Sequence, residues 1–543
     1  MTSLDGVSLI HGWVVNAVPA LAVAAVVVTV ARRGRRWWAA TVPVVVSLAG
    51  AAVTAAAWYL HHRGIVRDHY PKSFLVWTGE VLVAAAVAIV GWPDARWWRR
   101  IVAVAAVPLT AASTLVLMNA HYAYWPTVGD LLGRPMQHEI SARALSDVLA
   151  RQASRASLAP PAPEAAPTAP GPDTADPPPA DPPTAPVDSA GGDDAAPAPP
   201  SVTTAAAPSP AAEPDPVASG APAPAADRAA PAMAPDMAAN RSAGDGGAGH
   251  SRRATEVAAG PTPAAMHGVL APLDVPSTVS GFPARQGTLY LPPAFFDSPP
   301  PTLPVIVMVG GTPGGPQDWP RAGFAAQTAD AYATRHHGVA PILAFVDHNG
   351  SVLNDTECVD GPAGQAETFL AVDVPRYLSE TLHIPRYPSR WAIAGFSEGG
   401  TCALELAVRH PDAYGTFVDI AGDWAPNVGS EPDTLRELYG GDRAAMAAHD
   451  PANLLRPNRF RDLNGWFLTG ASDGPHVDVA ARLAAAARTA GIAVTRTVLP
   501  GAHNWQLATG AFRTALGALT RQLAGEAPAG TATAAMGTHH HNP

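Results

Sequence analysis

Residues 391–400, WAIAGFSEGG, constrain the fold more than any other stretch of the chain. An apolar run ends in Gly395-Phe396-Ser397-Glu398-Gly399 and passes at once into a helical pattern. A serine flanked in this way belongs to a sharp strand-to-helix turn, because a Cβ at either glycine would clash in so tight a bend. The turn lifts the serine Oγ above the edge of the sheet. Gly-x-Ser-x-Gly also arises by chance in a chain with 48 glycines, so its weight depends on the segments downstream.

Two later strand ends supply what the serine needs. Asn464 to Gly470 (NGWFLTG) reads as a buried strand, with Asp473 in the loop after it. Ile492 to Leu499 alternates as a strand and runs into Pro500-Gly501-Ala502-His503-Asn504-Trp505. A serine hydroxyl is a poor nucleophile until an imidazole takes its proton, and a carboxylate must hold that imidazole in the right tautomer. Ser397, His503 and Asp473 are the expected trio, in the chain order of α/β-hydrolases. Asp478, five residues further on in an amphipathic helix, is the rival acid. Upstream, Leu303 to Val309 is a strand that enters Gly310-Gly311-Thr312-Pro313-Gly314-Gly315. In this fold the loop after that strand and the residue after the nucleophile each give an N–H to an oxyanion. Glu398 and either Thr312 or Gly311 are the expected donors, since Pro313 has no N–H.

From about Pro276 to Leu523 the chain resembles the putative-esterase branch of the α/β-hydrolases, which holds esterase D-like enzymes, enterochelin esterases and actinobacterial mycolyltransferases. The residues that carry the resemblance are TLYLPPAFF (288–296), GGTPGGPQDW (310–319), TECVDG (356–361), GFSEGG and GAHNW. Many members carry His-Gly where this chain has Gly310-Gly311. The resemblance implies a mostly parallel sheet flanked by helices and a serine-dependent acyl transfer.

Four apolar segments fill the first 125 residues: about Leu9 to Val30, Ala39 to Leu60, Phe74 to Val90 and Ile101 to His121. Each is near the length that crosses a ~30 Å hydrocarbon core. The connections ARRGRRWW (31–38) and DARWWRR (94–100) carry seven arginines, whereas MTSLDGVS at the start has no Lys or Arg. Positive charge stays inside, so the N-terminus, the middle loop and everything after residue 121 are expected outside the cytoplasm. The first segment lacks the positive n-region of a signal peptide and reads as a retained anchor. Glu80 stands within the third span; an intramembrane carboxylate is a functional candidate, though a Glu that snorkels or bonds a neighbouring helix is the blander alternative.

The expected organisation is a four-span membrane domain (1–125), a juxtamembrane segment and disordered Ala/Pro-rich linker (126–265), the hydrolase domain (266–525) and a flexible tail (526–543). The linker composition cannot bury enough apolar surface to order itself and reads as an extended tether. A net charge of −10 argues against a nucleic-acid partner. Cys358 and Cys402 are the two cysteines; an even count in an exported domain favours a disulfide over two buried thiols. No His, Cys or acid cluster has metal-ligand spacing, so neither metal nor cofactor is expected; His348 reads as a loop residue.

The function expected from these features is that of a membrane-anchored extracytoplasmic serine esterase acting on lipid or cell-envelope esters. Three alternatives stand beside it: a mycolyltransferase-like acyltransferase, a hydrolase of aminoacyl-phosphatidylglycerol, and a binding scaffold on an inactive fold. The aminoacyl reading rests on Asp355, Glu357 and Asp360, three carboxylates that would select a cationic acyl group if their loop lines the site.

Overall fold

The computed structural model describes residues 4–31, 34–62, 72–93, 95–158, 267–352, 354–456 and 459–525. Arg32, Arg33, Asp94, the bulk of the middle loop, the linker from 159 and the tail from 526 lie outside the described residues.

Eight strands form one sheet: β1 Val269–Leu273, β2 Gly287–Leu291, β3 Val305–Val309, β4 Ile342–Phe345, β5 Trp391–Phe396, β6 Thr416–Ile420, β7 Asn464–Gly470 and β8 Ala493–Leu499. Their spatial order is β1-β2-β4-β3-β5-β6-β7-β8. β1 pairs antiparallel with β2 and β2 with β4, and every other pairing is parallel. Successive side chains on a strand face opposite ways. Val305, Val307 and Val309 of β3 therefore join one apolar core, and Ile306 and Met308 the other. Burial on both faces requires continuous apolar strands, as β3 and β5 are. Helices Val374–Leu382, Glu398–Arg409 and Gly474–Thr489 cover the first face, and Ala325–Arg335 and Trp505–Leu523 the second. Phe345, Phe417, Phe467 and Phe512 are fully buried between these layers, each contributing roughly 2–3 kcal/mol. The result is the α/β-hydrolase architecture expected from the chain order of the strands.

Among the described residues, the N-terminal region has four helices long and apolar enough to cross a membrane: α1 Trp13–Val30, α2 Val42–His62, α3 Lys72–Val90 and α4 Trp97–Tyr122, α2 being entered through one π turn at Trp37–Thr41. Helices of 18 to 26 residues rise roughly 27–39 Å at 1.5 Å per residue, enough for a hydrocarbon core. α4 packs against α1 and α3, and α2 lies against α3. The two Arg-Trp turns meet at one end of the bundle, where Arg99 Nη1 donates to the Ala31 carbonyl at 2.6 Å. Glu80 borders an apolar groove of about 510 Å³ between α1, α2 and α3.

Within the segment 126–265, expected to hold a juxtamembrane stretch and the linker, residues 126–158 dock on the hydrolase domain. The Leu270 N–H donates to the His138 carbonyl (3.0 Å) and the Ile140 N–H to the Leu270 carbonyl (2.7 Å), so this stretch covers the open edge of β1. An uncovered edge strand presents unpaired backbone groups, which gives the stretch its reason to dock. The helix Ala142–Leu158 then lays Leu145 and Leu149, one turn apart, on the hydrolase core.

Candidate active site

The β5 strand delivers Ser397 into a turn with φ 60° and ψ −127°. This left-handed conformation is strained for a residue with a Cβ, and it is held because the surrounding backbone leaves no alternative. A Cβ at Gly395 would lie 1.9 Å from the Gly399 carbonyl oxygen, and one at Gly399 would lie 2.2 Å from that of Gly310. Glu398 opens the helix Glu398–Arg409, so its N–H is among the first-turn donors that have no intrahelical partner.

β7 and β8 end beside this turn. His503 Nε2 stands 2.9 Å from Ser397 Oγ, and His503 Nδ1 stands 2.9 Å from Asp473 Oδ2. Asp473 is buried and His503 half-buried, and the His503 ring packs on Phe396 at 4.8 Å between centroids. The three expected side chains thus come together in one hydrogen-bonded chain. Asp478 stands exposed on the following helix.

A second histidine, not among the residues expected from the sequence, shares the acid. His476 Nδ1 bonds Asp473 Oδ1 at 2.7 Å, and the ring stacks on His503 at 4.4 Å between centroids. Its Nε2 lies 3.4 Å from Asp423 Oδ1 in the loop after β6. Burial opposes a charge on His476, but the bonds to Asp423 and Asp473 outweigh it and push its pKa up to about 10. Burial would likewise raise Asp473, and the bonds from His476 and His503 instead hold it at about 2. Asp473, His476 and His503 also present ligand atoms within 4.8 Å of one another, a grouping their sequence spacing did not announce. A histidine three residues into a helix whose N-cap is acidic was the available signal.

The 310–315 loop, expected to carry an oxyanion donor, approaches Ser397 through its backbone. A Cβ at Gly311 would lie 3.0 Å from Ser397 Cβ and 3.2 Å from the Phe396 carbonyl oxygen, a tight approach that a side chain there would have to push apart. Thr312 spends its hydroxyl on the Glu398 carboxylate. Glu398 Oε2 also accepts from Asn349 Nδ2 and contacts His348 Nε2, both at 3.1 Å. His348 is therefore not a bland loop residue. Burial opposes ionisation of both groups; the opposite charge of each partner overcomes it, lowering Glu398 and raising His348. Each partner thus offsets the cost of burying the other beside Ser397. Removing one partner of a buried pair costs about 3–5 kcal/mol. A His348→Leu chain is expected to lose that much stability in urea titration, with most of it recovered when Glu398→Met is added.

Cys358 and Cys402 are joined in a disulfide across 44 residues of sequence, with Cα atoms 5.5 Å apart. The bridge ties the 355–361 loop to the nucleophile helix. Closing a loop of that size constrains the unfolded chain by up to about 4 kcal/mol. Cys358→Ser, or reduction of the wild type, should lower the melting temperature of the hydrolase domain; an unchanged melt would remove this role.

The carboxylates of that loop turn into the protein. Glu357 is 4 % exposed, both Asp355 carboxylate oxygens are buried, and Asp360 accepts from the Thr368 N–H (3.0 Å) and hydroxyl (2.5 Å). The half-exposed carboxylate beside the His476–His503 pair is Asp423, 41 % exposed.

Residues 284–516 match the family model described as putative esterase. An uncharacterized protein of Corynebacterium glutamicum is 36 % identical over 236 residues, 42 % of this chain and 55 % of that protein. The match thus spans about half the length of the curated relative. Among solved structures, an S-formylglutathione hydrolase from Agrobacterium tumefaciens is 17 % identical, covering 48 % of this chain and 97 % of its own, with a TM-score of 0.39. MPT51 of Mycobacterium tuberculosis is 19 % identical, covering 46 % and 97 %, with a TM-score of 0.34.

Proposed function

We propose that this chain is a membrane-anchored serine esterase whose hydrolase domain faces outside the cytoplasm and cleaves carboxylic esters of lipids or other envelope components. The observation that carries the reading is the continuous Ser397–His503–Asp473 hydrogen-bonded chain at the carboxyl ends of β5, β8 and β7. Ser397 Oγ attacks the ester carbonyl carbon as its proton passes to His503 Nε2. The carbonyl electrons move onto oxygen, opposite the Glu398 N–H and the 311–312 backbone. Collapse of this intermediate breaks the acyl C–O bond, and the leaving alkoxide takes the proton from His503. A water then repeats the sequence on the acyl-serine, releasing acid and restoring the hydroxyl.

Lipid substrates are favoured because the membrane helices hold the site near the bilayer and raise the effective concentration of esters there. The outward orientation is supported by the seven arginines that the sequence places in the two connections 31–38 and 94–100, and by their absence from the first eight residues. A second reading, that the acyl group is cationic as in aminoacyl-phosphatidylglycerol, is supported by Asp423 rather than by the 355–360 loop.

The test is fluorophosphonate labelling of the full chain in bilayers, followed by acid release from neutral acyl and aminoacyl lipids. Labelling at Ser397 with turnover supports the esterase; a folded chain that neither labels nor turns over is a scaffold. Accumulation of acyl-enzyme that discharges to a lipid or sugar hydroxyl in preference to water would replace hydrolysis by acyl transfer. A preference for aminoacyl lipid that disappears in Asp423→Asn would select the cationic acyl group. A fluorophosphonate that cannot cross membranes should label intact cells, and labelling confined to lysed cells would reverse the orientation.

A further inference from the structure

α4 ends in an arrangement that aims the chain at the active site. The Ala123 N–H donates to the Asn119 carbonyl at 2.6 Å while Ala123 itself turns left-handed (φ 56°), a helix stop that redirects the backbone. The Asn119 side chain fixes the new direction. Its Oδ1 accepts from the Trp125 N–H at 2.8 Å, and its Nδ2 donates to the Trp125 carbonyl at 2.9 Å and the Leu9 carbonyl at 3.2 Å. Ala123 is buried in the hydrolase core beside the sheet, and Tyr124 packs on it.

Two contacts then run from this helix end to the two loops that flank Ser397. The Tyr124 hydroxyl donates to Asp318 Oδ1 at 2.7 Å, and Asp318 Oδ2 accepts from the Gly315 N–H at 2.8 Å. Asp318 fills the space beside Gly310 and Gly314, where a Cβ would meet its Oδ2 at 3.1 and 2.2 Å. It is thus the internal post around which the 310–315 loop is wrapped. On the other side Asn504 Nδ2 donates to the His121 carbonyl at 3.2 Å, in the last turn of α4. Asn504 is the residue after His503, and its Oδ1 caps the helix Trp505–Leu523 by accepting from the Leu507 N–H at 3.0 Å. Arg321 adds a third tie, from its Nη1 to the Arg134 carbonyl at 3.0 Å and to Asp130 at 3.6 Å.

We propose that the outer end of α4 is a positioning element of the active site. Through Tyr124 and Asp318 it sets the oxyanion loop, and through His121 and Asn504 it sets the loop that carries His503. The membrane domain is then part of the catalytic framework and not only an anchor. The inference rests on the esterase reading, and it adds that the nucleophile meets a complete oxyanion site and base only while α4 is seated. Neither Tyr124 nor Asn504 is a catalytic residue; each acts through a loop. Because they hold groups that matter most in the transition state, their loss should appear in kcat rather than KM.

The test uses the full chain in phosphatidylglycerol nanodiscs, with a soluble p-nitrophenyl acyl ester so that membrane access of the substrate is not what is measured. Tyr124→Phe removes only the hydroxyl. Asn504→Ser keeps a capping oxygen and removes the donor to His121. Each is expected to lower kcat about tenfold, the loss of one hydrogen bond that shapes the transition state, with KM within about twofold and melting temperature within about 2 °C of wild type. Unchanged kcat in both variants, or kcat losses that track lower melting temperatures, would overturn the proposal. A wild type that neither turns over ester nor reacts with fluorophosphonate would overturn the esterase reading beneath it. A reactive wild type with unaffected variants would remove the α4 role alone.

Discussion

Replacing Ser397 with alanine is expected to lower ester turnover by at least about 10⁴-fold while the melting temperature stays within about 2 °C. The hydroxyl is the sole group deleted, and the turn that presents it is held by Gly395 and Gly399 rather than by the serine side chain. His503→Ala should cost about as much, and the Ser397→Ala/His503→Ala double variant little more than either alone, because base and nucleophile act as one unit. Asp473→Asn should fall in a similar range but with a difference. Asp473 bonds two imidazoles, so its loss also releases His476 and should depress stability. Steady-state kinetics on a soluble ester, with circular dichroism on the same samples, reads all four. Residual turnover above about one per cent in Ser397→Ala would exclude this serine as the nucleophile.

The parts of the molecule that were legible in the sequence are those written in local chain order. Ser397 and Asp473 follow apolar strands and His503 an alternating one, and a parallel sheet brings successive strand ends to one edge whatever the loops between them do. The membrane helices were legible for a similar reason, since an apolar run of bilayer length has few other uses. What escaped depends on contacts between residues far apart in the chain. Tyr124 meets Asp318 across 194 residues and Asn504 meets His121 across 383, and no period or spacing reports such a pairing. Glu398 was visible as the residue after the nucleophile. That its carboxylate turns inward onto His348 and Thr312 was not, because a buried acid and a solvated one are spelled alike. The same ambiguity made the 355–360 carboxylates look like a substrate surface. The stretch 126–158 carries no sequence signal of where it docks; the open edge of β1, a feature of the folded sheet, is what claims it.

The shared carboxylate makes stability depend on pH in two windows, and the signs come from the two shifts. Asp473 is depressed to about 2 from an unfolded value near 3.8, so its contribution is complete above the unfolded value and is lost as pH falls toward 2. His476 is raised to about 10 from an unfolded value near 6.5. Its contribution is complete below 6.5 and is lost as pH rises through the higher value. The two groups hold each other, so their contributions are not additive; together they represent on the order of 3–5 kcal/mol. Stability of the full chain is therefore expected to have a broad maximum between about pH 4 and 6.5 from this site and to decline steadily from neutrality toward pH 10. His476→Gln should flatten that alkaline decline and lower the maximum by about 2–4 kcal/mol, because the glutamine keeps hydrogen bonding but carries no charge between Asp423 and Asp473. Chemical denaturation of wild type and His476→Gln from about pH 4 to 10 measures both slopes. Parallel curves would mean that His476 is neutral in the folded protein, and the Asp423–His476–Asp473 chain would then be a hydrogen-bonded relay without a cation at its centre.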